Sequence, residues 1–260
     1  MQNTANNNNY SLDRDFNIEH VTQTGNWDIA IIGGGATGLG IAVDAASRGY
    51  KTLLVEQSDF AKGTSRRSTK LVHGGVRYLA QGDIKLVYSA LKERGILFKN
   101  APHLAHIQSF IIRCYTLFAK LKFLVGLKIY DWMAGKYRIG KSSLLSKERV
   151  SNLIPEVRQS NLKGGIEYFD GQFDDARLAI NLAQTASQYG ATLLNYTKVI
   201  ELNKDSNGKI KGFTFIDKES DKSHTIHAKT VINATGVFVD EILTLAHPSH
   251  KPMVRPSQGV

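Results

Sequence analysis

Three glycines and a glutamate have the types and spacing that hold a dinucleotide. Gly33, Gly35 and Gly38 form a G-x-G-x-x-G motif directly after a short apolar run, and Glu56 ends the next apolar run. In such a motif the first glycine allows a sharp turn, the second lets the backbone approach a pyrophosphate, and the third lets a helix pack closely on the strand. The start of that helix attracts phosphate, and a carboxylate at the position of Glu56 accepts hydrogen bonds from an adenosine ribose. Strand, glycines, helix, strand and acid in this order predict a Rossmann-like dinucleotide site.

The segment 58–79, SDFAKGTSRRSTKLVHGGVRYL, carries polar side chains suited to binding a phosphate or a flavin. Its hydroxyl groups and Lys70 can wrap a phosphate or the edge of a flavin. The pair Gly74-Gly75 allows the backbone to approach a flat ring closely. A basic, solvated loop is the alternative. The residues alone leave both interpretations open, but the position directly after a dinucleotide motif favours a binding segment.

Composition and charge limit the classes of protein that the chain can be. The 260 residues are 42% hydrophobic, which suits a globular protein with a sizeable core. A formal charge of +10 favours an anionic partner: a phosphorylated metabolite, a membrane surface or a nucleic acid. Aromatic residues do not alternate with the basic ones as they do in nucleic-acid-binding modules, so we expect no nucleic acid.

Cysteine usage and the N-terminal segment bear on location. Cys114 is the only cysteine, which excludes an intrachain disulfide framework and a CxxC metal pair. We therefore expect no metal site and a reducing, cytoplasmic compartment. Residues 1–26 are polar, with an asparagine run at 6–9, and lack the features of a signal or transit peptide. They are predicted to form a disordered tail.

The middle of the chain contains two helical patterns. Apolar residues recur at helical spacing over 82–99, which predicts a helix. Residues 113–138 are both apolar and basic, and their lysines exclude a transmembrane span. Their apolar residues lie all round a helical wheel, so two interpretations stay open. One is a buried helix whose lysines reach the surface, and the other is a basic, aromatic patch on a membrane surface.

A strand followed by a helix is predicted next. Residues 164–173 have the pattern of a strand and turn, and Asp174 is suited to cap a helix that ends at Gly190. Asp174 and its neighbour Asp175 are therefore interpreted as helix-start residues rather than as catalytic ones.

The segment 192–233 is β-rich and contains a hairpin turn at Asn207-Gly208. The run VINATG at 231–236 ends a buried strand in small residues. This pattern predicts that the chain returns against the same dinucleotide.

Together these motifs resemble the FAD-dependent glycerol-3-phosphate dehydrogenase and oxidase family, within the D-amino-acid-oxidase-like flavoproteins. The resemblance covers residues 27–260 and rests on IIGGGATG, STKLVHGGVRYL, APHL, DDAR and NATG. HGGVRYL together with DDAR is far more specific than the glycine motif, and it separates this family from general NAD-binding folds.

The resemblance implies site residues at the matching positions. FAD is the implied cofactor, held by Gly33, Gly35, Ala36, Thr37, Gly38, Glu56, Gln57, Thr64, Ser65, Ser68, Thr69, Lys70, His73, Gly74, Gly75, Val199, Ala234 and Gly236. Arg77, Tyr78 and, more loosely matched, Arg255 are implied on the substrate side. His73 and Arg77 are the implied catalytic residues: His73 is either the base or a contact of the flavin carbonyl region, and Arg77 binds phosphate.

The implied fold is α/β: a Rossmann-like FAD-binding domain of the glutathione-reductase and D-amino-acid-oxidase type, interrupted by a β-rich substrate domain and incomplete at the C-terminus. We expect the FAD-binding domain at 27–104 and 164–260, and a substrate- or membrane-facing region at 105–163. Peripheral contact with the inner face of the cell membrane is expected for the latter region.

The implied reaction transfers a hydride from sn-glycerol 3-phosphate to flavin N5 and gives dihydroxyacetone phosphate, with electrons passed to quinone or oxygen. The family pattern continues beyond Val260, which puts activity of the chain in question. Two alternatives therefore stand: a truncated, non-catalytic FAD-binding fragment, and a sibling flavin oxidoreductase acting on another hydroxy or amino acid.

Overall fold

A computed structural model of the chain describes residues 12–257. Its helices are α1 (Arg14–Gln23), α2 (Ala36–Ser47), α3 (Val76–Ala80), α4 (Ile84–Asn100), α5 (Leu117–Ala134), α6 (Lys147–Leu153), α7 (Asp175–Gln188) and α8 (Val239–Ala246). Its strands are β1 (Asn26–Ile32), β2 (Thr52–Val55), β3 (Leu71–Val72), β4 (Ala105–Arg113), β5 (Ser143–Leu145), β6 (Gly165–Phe173), β7 (Thr192–Leu194), β8 (Thr197–Lys204), β9 (Ile210–Asp217) and β10 (Ser223–Asn233). Short 3₁₀ helices cover Thr64–Arg66, Gly135–Tyr137 and Gly236–Phe238.

The chain divides into two compact units. Residues 1–68 and 175–260 form the first, which we refer to as the discontinuous unit, and residues 69–174 form the inserted unit. The division confirms that a second segment of chain interrupts the dinucleotide-binding fold.

The discontinuous unit is built on a six-stranded sheet in the order β7-β2-β1-β10-β9-β8. Strand β1 pairs in parallel with both β2 and β10, whereas β8, β9 and β10 form antiparallel pairs. Alternate residues of β1 face opposite sides of the sheet: Ile31 packs in one core with Leu39 of α2, and Ile32 packs in another with Phe213 and Phe215. Both faces of the parallel part are thus covered, as its apolar strands require.

The inserted unit contains a second sheet in the order β3-β6-β4, and β5 also pairs with β6. Strand β4 pairs with β6 along its whole length, from Ala105 opposite Phe173 to Arg113 opposite Gly165. Helices α4 and α5 share a small core formed by Val87, Leu91, Tyr130 and Ala134. Within residues 12–257, none of the helices has both the length and the apolar character needed to cross a membrane.

The unit boundaries differ from those expected from the sequence. The expected insertion at 105–163 is too short, because β3 pairs with β6 through Leu71 opposite Gln172 and Val72 opposite Gly171. These sheet hydrogen bonds place residues 69–104 and 164–174 in the inserted unit as well. The partners of β3 and β6 are about a hundred residues apart, so no local pattern reveals the pairing.

Helix α5 exposes most of its apolar side chains, so the interpretation as a buried helix is wrong. Leu127, Tyr130 and Ala134 are buried on one side. Phe118 and Trp132, in contrast, are 77% and 80% exposed. Apolar residues lie all round the helix, as the sequence indicates, but the unit covers only one side of it.

Helix α1 corrects the prediction of a disordered tail for residues 14–23; residues 1–11 lie outside the described part of the chain. Asp13 caps the helix by accepting a hydrogen bond from the N–H of Phe16 (2.9 Å), and buried Asn17 donates to the carbonyl of Leu193 (3.2 Å). Arg14 forms an ion pair with Asp217. Val21 and Ile18 pack in the core, but the other anchors are polar side chains, so the helix lacks the long apolar stripe from which a helix is usually recognised.

The ion pair also sets the ionisation of Asp217. Burial acts to raise the pKa of this carboxyl, but hydrogen bonds from Arg14, Ser220 and the Glu219 N–H outweigh it and lower the pKa to about 2. Because the folded-state pKa lies below the ordinary value, the stabilisation is present above about pH 4 and is lost as the pH falls towards 2.

We expect Arg14→Gln to lower the free energy of unfolding by about 1–3 kcal/mol at neutral pH, because it leaves the Asp217 carboxylate without its charged partner. Urea unfolding between pH 7 and pH 2 measures this, and the difference from wild type should shrink below about pH 4. Lys229→Gln is the control, since the Lys229 side chain is 79% exposed and its pair with Asp28 should contribute little. A difference that persists unchanged to pH 2 would contradict this account of the α1 anchor.

Candidate functional site

A cleft of about 600 Å³ opens in the discontinuous unit where β1 and β2 end. The carboxyl ends of neighbouring parallel strands are the usual position for a ligand in such sheets. Residues expected from the sequence that line this cleft are Gly33, Gly35, Ala36, Thr37, Glu56, Gln57, Thr64, Ser65, Val199, Ala234 and Gly236. The structure therefore brings the glycine turn, the acid after β2 and the returning NATG segment to one place.

The glycine turn depends on backbone contacts that leave no room for side chains. Gly33 has a φ of +113°, and a Cβ built there would lie 2.6 Å from the carbonyl oxygen of Ala234. A Cβ on Gly38 would lie 1.9 Å from the carbonyl oxygen of Gly33. The Ala234 N–H donates to the carbonyl of Ile32 (2.8 Å), which holds the returning segment against β1. Gly38 thus lies beneath the cleft, where it allows α2 to pack against the turn.

Gly35 lies directly before the first turn of α2 and lines the cleft. A Cβ there would lie 3.0 Å from Oγ of Ser65, and the same hydroxyl accepts a hydrogen bond from the Ala36 N–H (2.9 Å). The N–H groups of a first helical turn lack partners within the helix, and the dipole makes this end positive. This end of the cleft is therefore suited to an anion such as a pyrophosphate.

Glu56 is fixed by two backbone hydrogen bonds. Its Oε2 accepts from the N–H of Gly34 (2.7 Å), and its Oε1 accepts from the N–H of Ser58 (2.8 Å). The carboxylate is therefore tied both to the glycine turn and to the end of β2. Each carboxylate oxygen can accept a further hydrogen bond, so the group can still bind ribose hydroxyls.

Other walls of the cleft were not predicted from the sequence. Lys62 and Arg67 line it and add positive charge that complements a diphosphate. Phe238, Ile242 and Leu245 line it with apolar surface. Their spacing of four and three residues places them on one face of a helical segment, a signal in the sequence that would have located this wall.

Ser68, predicted to contact the cofactor, has a structural partner in the same unit. Its N–H and its Oγ both donate to Oδ2 of Asp175, at 3.1 and 2.7 Å. Asp175 is buried and is the first residue of α7, which agrees with its interpretation as a helix-start residue.

Arg255, predicted on the substrate side, lies in an exposed segment after α8 and does not line the cleft. Asp240 holds this segment, since its carboxylate accepts from the N–H groups of Met253 (3.1 Å) and Val254 (2.9 Å) and pairs with His250 (2.7 Å). Hydrogen bonding to His250, and then to the two N–H groups, lowers the pKa of Asp240 to about 2.

The remaining predicted residues belong to the inserted unit. Thr69 is exposed, and Lys70 has a φ of +59° with its carbonyl accepting from the Phe173 N–H (2.9 Å). His73 is exposed at the start of the short loop between β3 and α3, and Gly74 beside it is buried.

Gly75, Arg77 and Tyr78 follow at the start of α3. The N–H of Gly75 donates to Nδ1 of His73 (3.1 Å). Tyr78 is exposed, and Arg77 lies within α3.

The cleft has the chemistry that one half of FAD requires. The start of α2 and the basic side chains suit a diphosphate, Glu56 suits a ribose, and strand β8 supplies the buried Val199 as a wall. No added side chain fits between the glycine turn and Ala234. The residues present therefore fit an adenosine diphosphate group, as the sequence predicts.

Comparison with known proteins gives consistent results. A family model described as "FAD dependent oxidoreductase" (DAO) matches residues 28–260. The mitochondrial glycerol-3-phosphate dehydrogenase of Schizosaccharomyces pombe is 42% identical over 95% of this chain and 40% of its own length. The aerobic glycerol-3-phosphate dehydrogenase of Staphylococcus epidermidis is 40% identical over 96% of this chain and 45% of its own length. The chain thus spans less than half the length of these relatives.

A solved structure is also similar. The glycerol-3-phosphate dehydrogenase from Bacillus halodurans, complexed with FAD, is 36% identical and superposes with a TM-score of 0.69. The match covers 90% of this chain and 38% of that one.

Side chains added at Gly35 should weaken or abolish flavin binding, because they would occupy the path that we predict for the pyrophosphate. We expect Gly35→Ala to lower the affinity for FAD and Gly35→Leu to give colourless protein. The visible absorbance of the purified variants measures this. Gly40→Ala is the matched control: it adds a methyl group to the same helix, where a Cβ meets no atom within 4 Å, and it should retain full flavin. Full flavin in Gly35→Leu would show that the cofactor lies elsewhere.

Proposed function

The chain belongs to the family of FAD dependent oxidoreductases, and we propose that it takes part in the oxidation of sn-glycerol 3-phosphate to dihydroxyacetone phosphate. The observation that carries the proposal is the cleft at the end of β1, whose glycine turn and Glu56 suit FAD. Relatives that are 40% or more identical and carry the name glycerol-3-phosphate dehydrogenase support the substrate.

In this proposal the discontinuous unit holds the adenosine diphosphate half of FAD. The glycine turn and Ser65 bind the pyrophosphate, and Glu56 binds the adenosine ribose. Val199 contacts the adenine through its backbone, while Ala234 and Gly236 close over the cofactor. The position of all these residues along one cleft supports the assignment.

Oxidation of this alcohol removes a hydride from carbon and a proton from the hydroxyl oxygen. FAD, when bound, supplies an acceptor for the hydride, a capacity that side chains lack. The residues of the chain must then bind the phosphate, orient the alcohol and handle the proton.

His73 is suited to donate a hydrogen bond rather than to act as the base. Its Nδ1 accepts from the N–H of Gly75 (3.1 Å), so the proton of the neutral ring lies on Nε2. To accept a proton at Nε2, the ring would have to move its own proton to Nδ1 and lose the bond to Gly75. We therefore propose that His73 contacts the flavin carbonyl region through Nε2–H.

Arg77 and Tyr78 are proposed to bind the substrate, with Arg255 as a further contact. A guanidinium group presents a planar fork that binds phosphate oxygens in pairs, which a lysine cannot reproduce. Tyr78 is exposed and adds a hydroxyl group close to Arg77 in the sequence.

The electron acceptor in this proposal is quinone at a membrane or oxygen, and the exposed side of α5 favours the membrane. Leu117, Phe118, Leu121, Val125 and Trp132 are exposed along this helix, and Lys122 adds positive charge among them. An apolar surface with basic residues binds an anionic bilayer peripherally. We propose that the protein is cytoplasmic and contacts the inner face of the cell membrane in this way.

Under anaerobic conditions, sn-glycerol 3-phosphate should bleach the visible absorbance of the FAD-loaded protein. We expect Arg77→Gln to raise the substrate concentration needed by about tenfold to a hundredfold, because it removes charged hydrogen bonds to the phosphate. A panel of hydroxy and amino acids serves as the control. Bleaching by a panel compound alone would identify a sibling oxidoreductase, and a flavin that none of the compounds bleaches would identify a non-catalytic fragment.

The membrane contact has a separate test in cosedimentation with anionic phospholipid vesicles. Wild-type protein should sediment with them, and the double variant Phe118→Ser and Trp132→Ser should bind at least tenfold more weakly, because each buried aromatic side chain contributes about 1.5–3 kcal/mol. Tyr50→Ser with Tyr189→Ser is the control, since both tyrosines are exposed on the other unit. Wild-type protein that stays in the supernatant would rule out a quinone acceptor at the membrane.

A further inference from the structure

A buried ion pair and a buried tyrosine lie together in the inserted unit, outside the cleft. Arg94 of α4 is 1% exposed, Tyr130 of α5 is 1% exposed and Asp170 of β6 is 4% exposed. Nη1 of Arg94 lies 2.7 Å from Oδ1 of Asp170, and the Tyr130 hydroxyl donates to Oδ2 of the same carboxylate (3.0 Å). Nη1 of Arg94 also donates to the Tyr130 oxygen (3.2 Å). We refer to these three residues as the buried triad.

The buried triad contacts the loop that carries His73. The N–H of Gly74 donates to Oδ1 of Asp170 (3.2 Å). A Cβ on Gly74 would lie 2.2 Å from the Tyr130 hydroxyl oxygen and 2.3 Å from Cδ2 of Leu91. Only a glycine therefore lets the loop approach the triad closely enough for this hydrogen bond.

The donors and acceptors of the triad match one another. Burial, and then the charge of Asp170, raise the pKa of the Tyr130 hydroxyl, so Tyr130 remains a neutral donor. The Arg94 guanidinium has several N–H donors and no acceptor. Asp170 accepts from Arg94, Tyr130, Gly74 and its neighbour Gly171, so both of its oxygens are satisfied.

Stability alone does not account for such a cluster. Desolvation of a buried ion pair offsets much of its attraction, and apolar side chains of the same volume often stabilise a fold as well or better. The polar cluster fixes the orientation of the groups that it binds, because hydrogen bonds are directional and apolar packing is not. The group oriented here is the N–H of Gly74, which lies between His73 and Gly75 in the chain.

The orientation of this peptide is coupled to the state of His73. Gly75 donates to Nδ1 of His73, and this bond keeps the ring proton on Nε2. If the N–H of Gly74 turned away from Asp170, the next peptide would turn as well, and the bond to Nδ1 would weaken. The ring would then be free to carry its proton on either nitrogen.

We propose that Arg94, Tyr130 and Asp170 are positioning residues that hold the 73–75 loop so that His73 presents Nε2–H as a hydrogen-bond donor. That this donor contacts the flavin carbonyl region rests on the proposed function. The position of the ring proton on Nε2 is independent of that function.

Nitrogen NMR of the labelled imidazole rings tests the proposal, because the shifts of the two ring nitrogens differ between the tautomers. The measurement uses the full chain, with FAD bound where it binds, at a pH where the rings are neutral. A His73→Gln spectrum identifies the signals of this ring among those of the other histidines. Tyr130→Phe and Asp170→Asn remove triad hydrogen bonds, and Val87→Ala disturbs the same small core without touching a polar group of the triad.

Wild-type protein should show the Nε2–H tautomer of His73 alone, and Val87→Ala should show the same. In Tyr130→Phe and Asp170→Asn a measurable Nδ1–H fraction should appear beside it. If Asp170→Asn does not fold, Tyr130→Phe decides. An unchanged tautomer in Tyr130→Phe, or an equal change in Val87→Ala, would overturn the proposal. Failure to bind FAD would contradict the proposed function alone, since the tautomer is measured with or without it.

Discussion

The discontinuous unit depends on a contact between three backbone segments at the end of β1. Gly33, Gly38 and Ala234 approach so closely that a Cβ on either glycine would overlap a carbonyl oxygen, at 2.6 and 1.9 Å. This contact places the first turn of α2, the end of β1 and the returning strand β10 around one point. Glu56 joins them by accepting from the N–H of Gly34 (2.7 Å). The features that suit a dinucleotide are therefore consequences of one packing constraint.

Helices α1 and α4 lie outside the glycine motif, and charged side chains anchor them to the sheets. Arg14 attaches α1 to the sheet through Asp217, and Arg94 joins α4 to β6 through Asp170. The Arg94–Asp170 pair is buried and the Arg14–Asp217 pair is partly buried, so the loss of one partner is costly. In the inserted unit Asp170 also accepts a hydrogen bond from the N–H of Gly74, which is why we assign the Arg94–Asp170 pair a role in positioning His73.

Local motifs were sufficient to predict that the glycine turn, Glu56 and the NATG segment lie together, because each residue acts through its own type and spacing. Helix α7 begins at Asp175, and Gly33 and Gly38 allow the turn and the close packing predicted for them. Helix α1 was missed because two of its anchors, Arg14 and Asn17, are polar. The extent of the inserted unit was missed because it follows from pairing between distant strands. Exposure along α5 could not be predicted, because the helix is apolar all round and only the packing decides which side is covered.

We propose that the cleft at the end of β1 holds the adenosine diphosphate half of FAD. A crystal structure of the chain with FAD bound is the decisive measurement. We expect pyrophosphate oxygens within hydrogen-bond distance of the backbone at 35–37, and a ribose hydroxyl on the Glu56 carboxylate. FAD bound elsewhere, or bound here with its ribose away from Glu56, would show that the cleft does not hold this half of the cofactor.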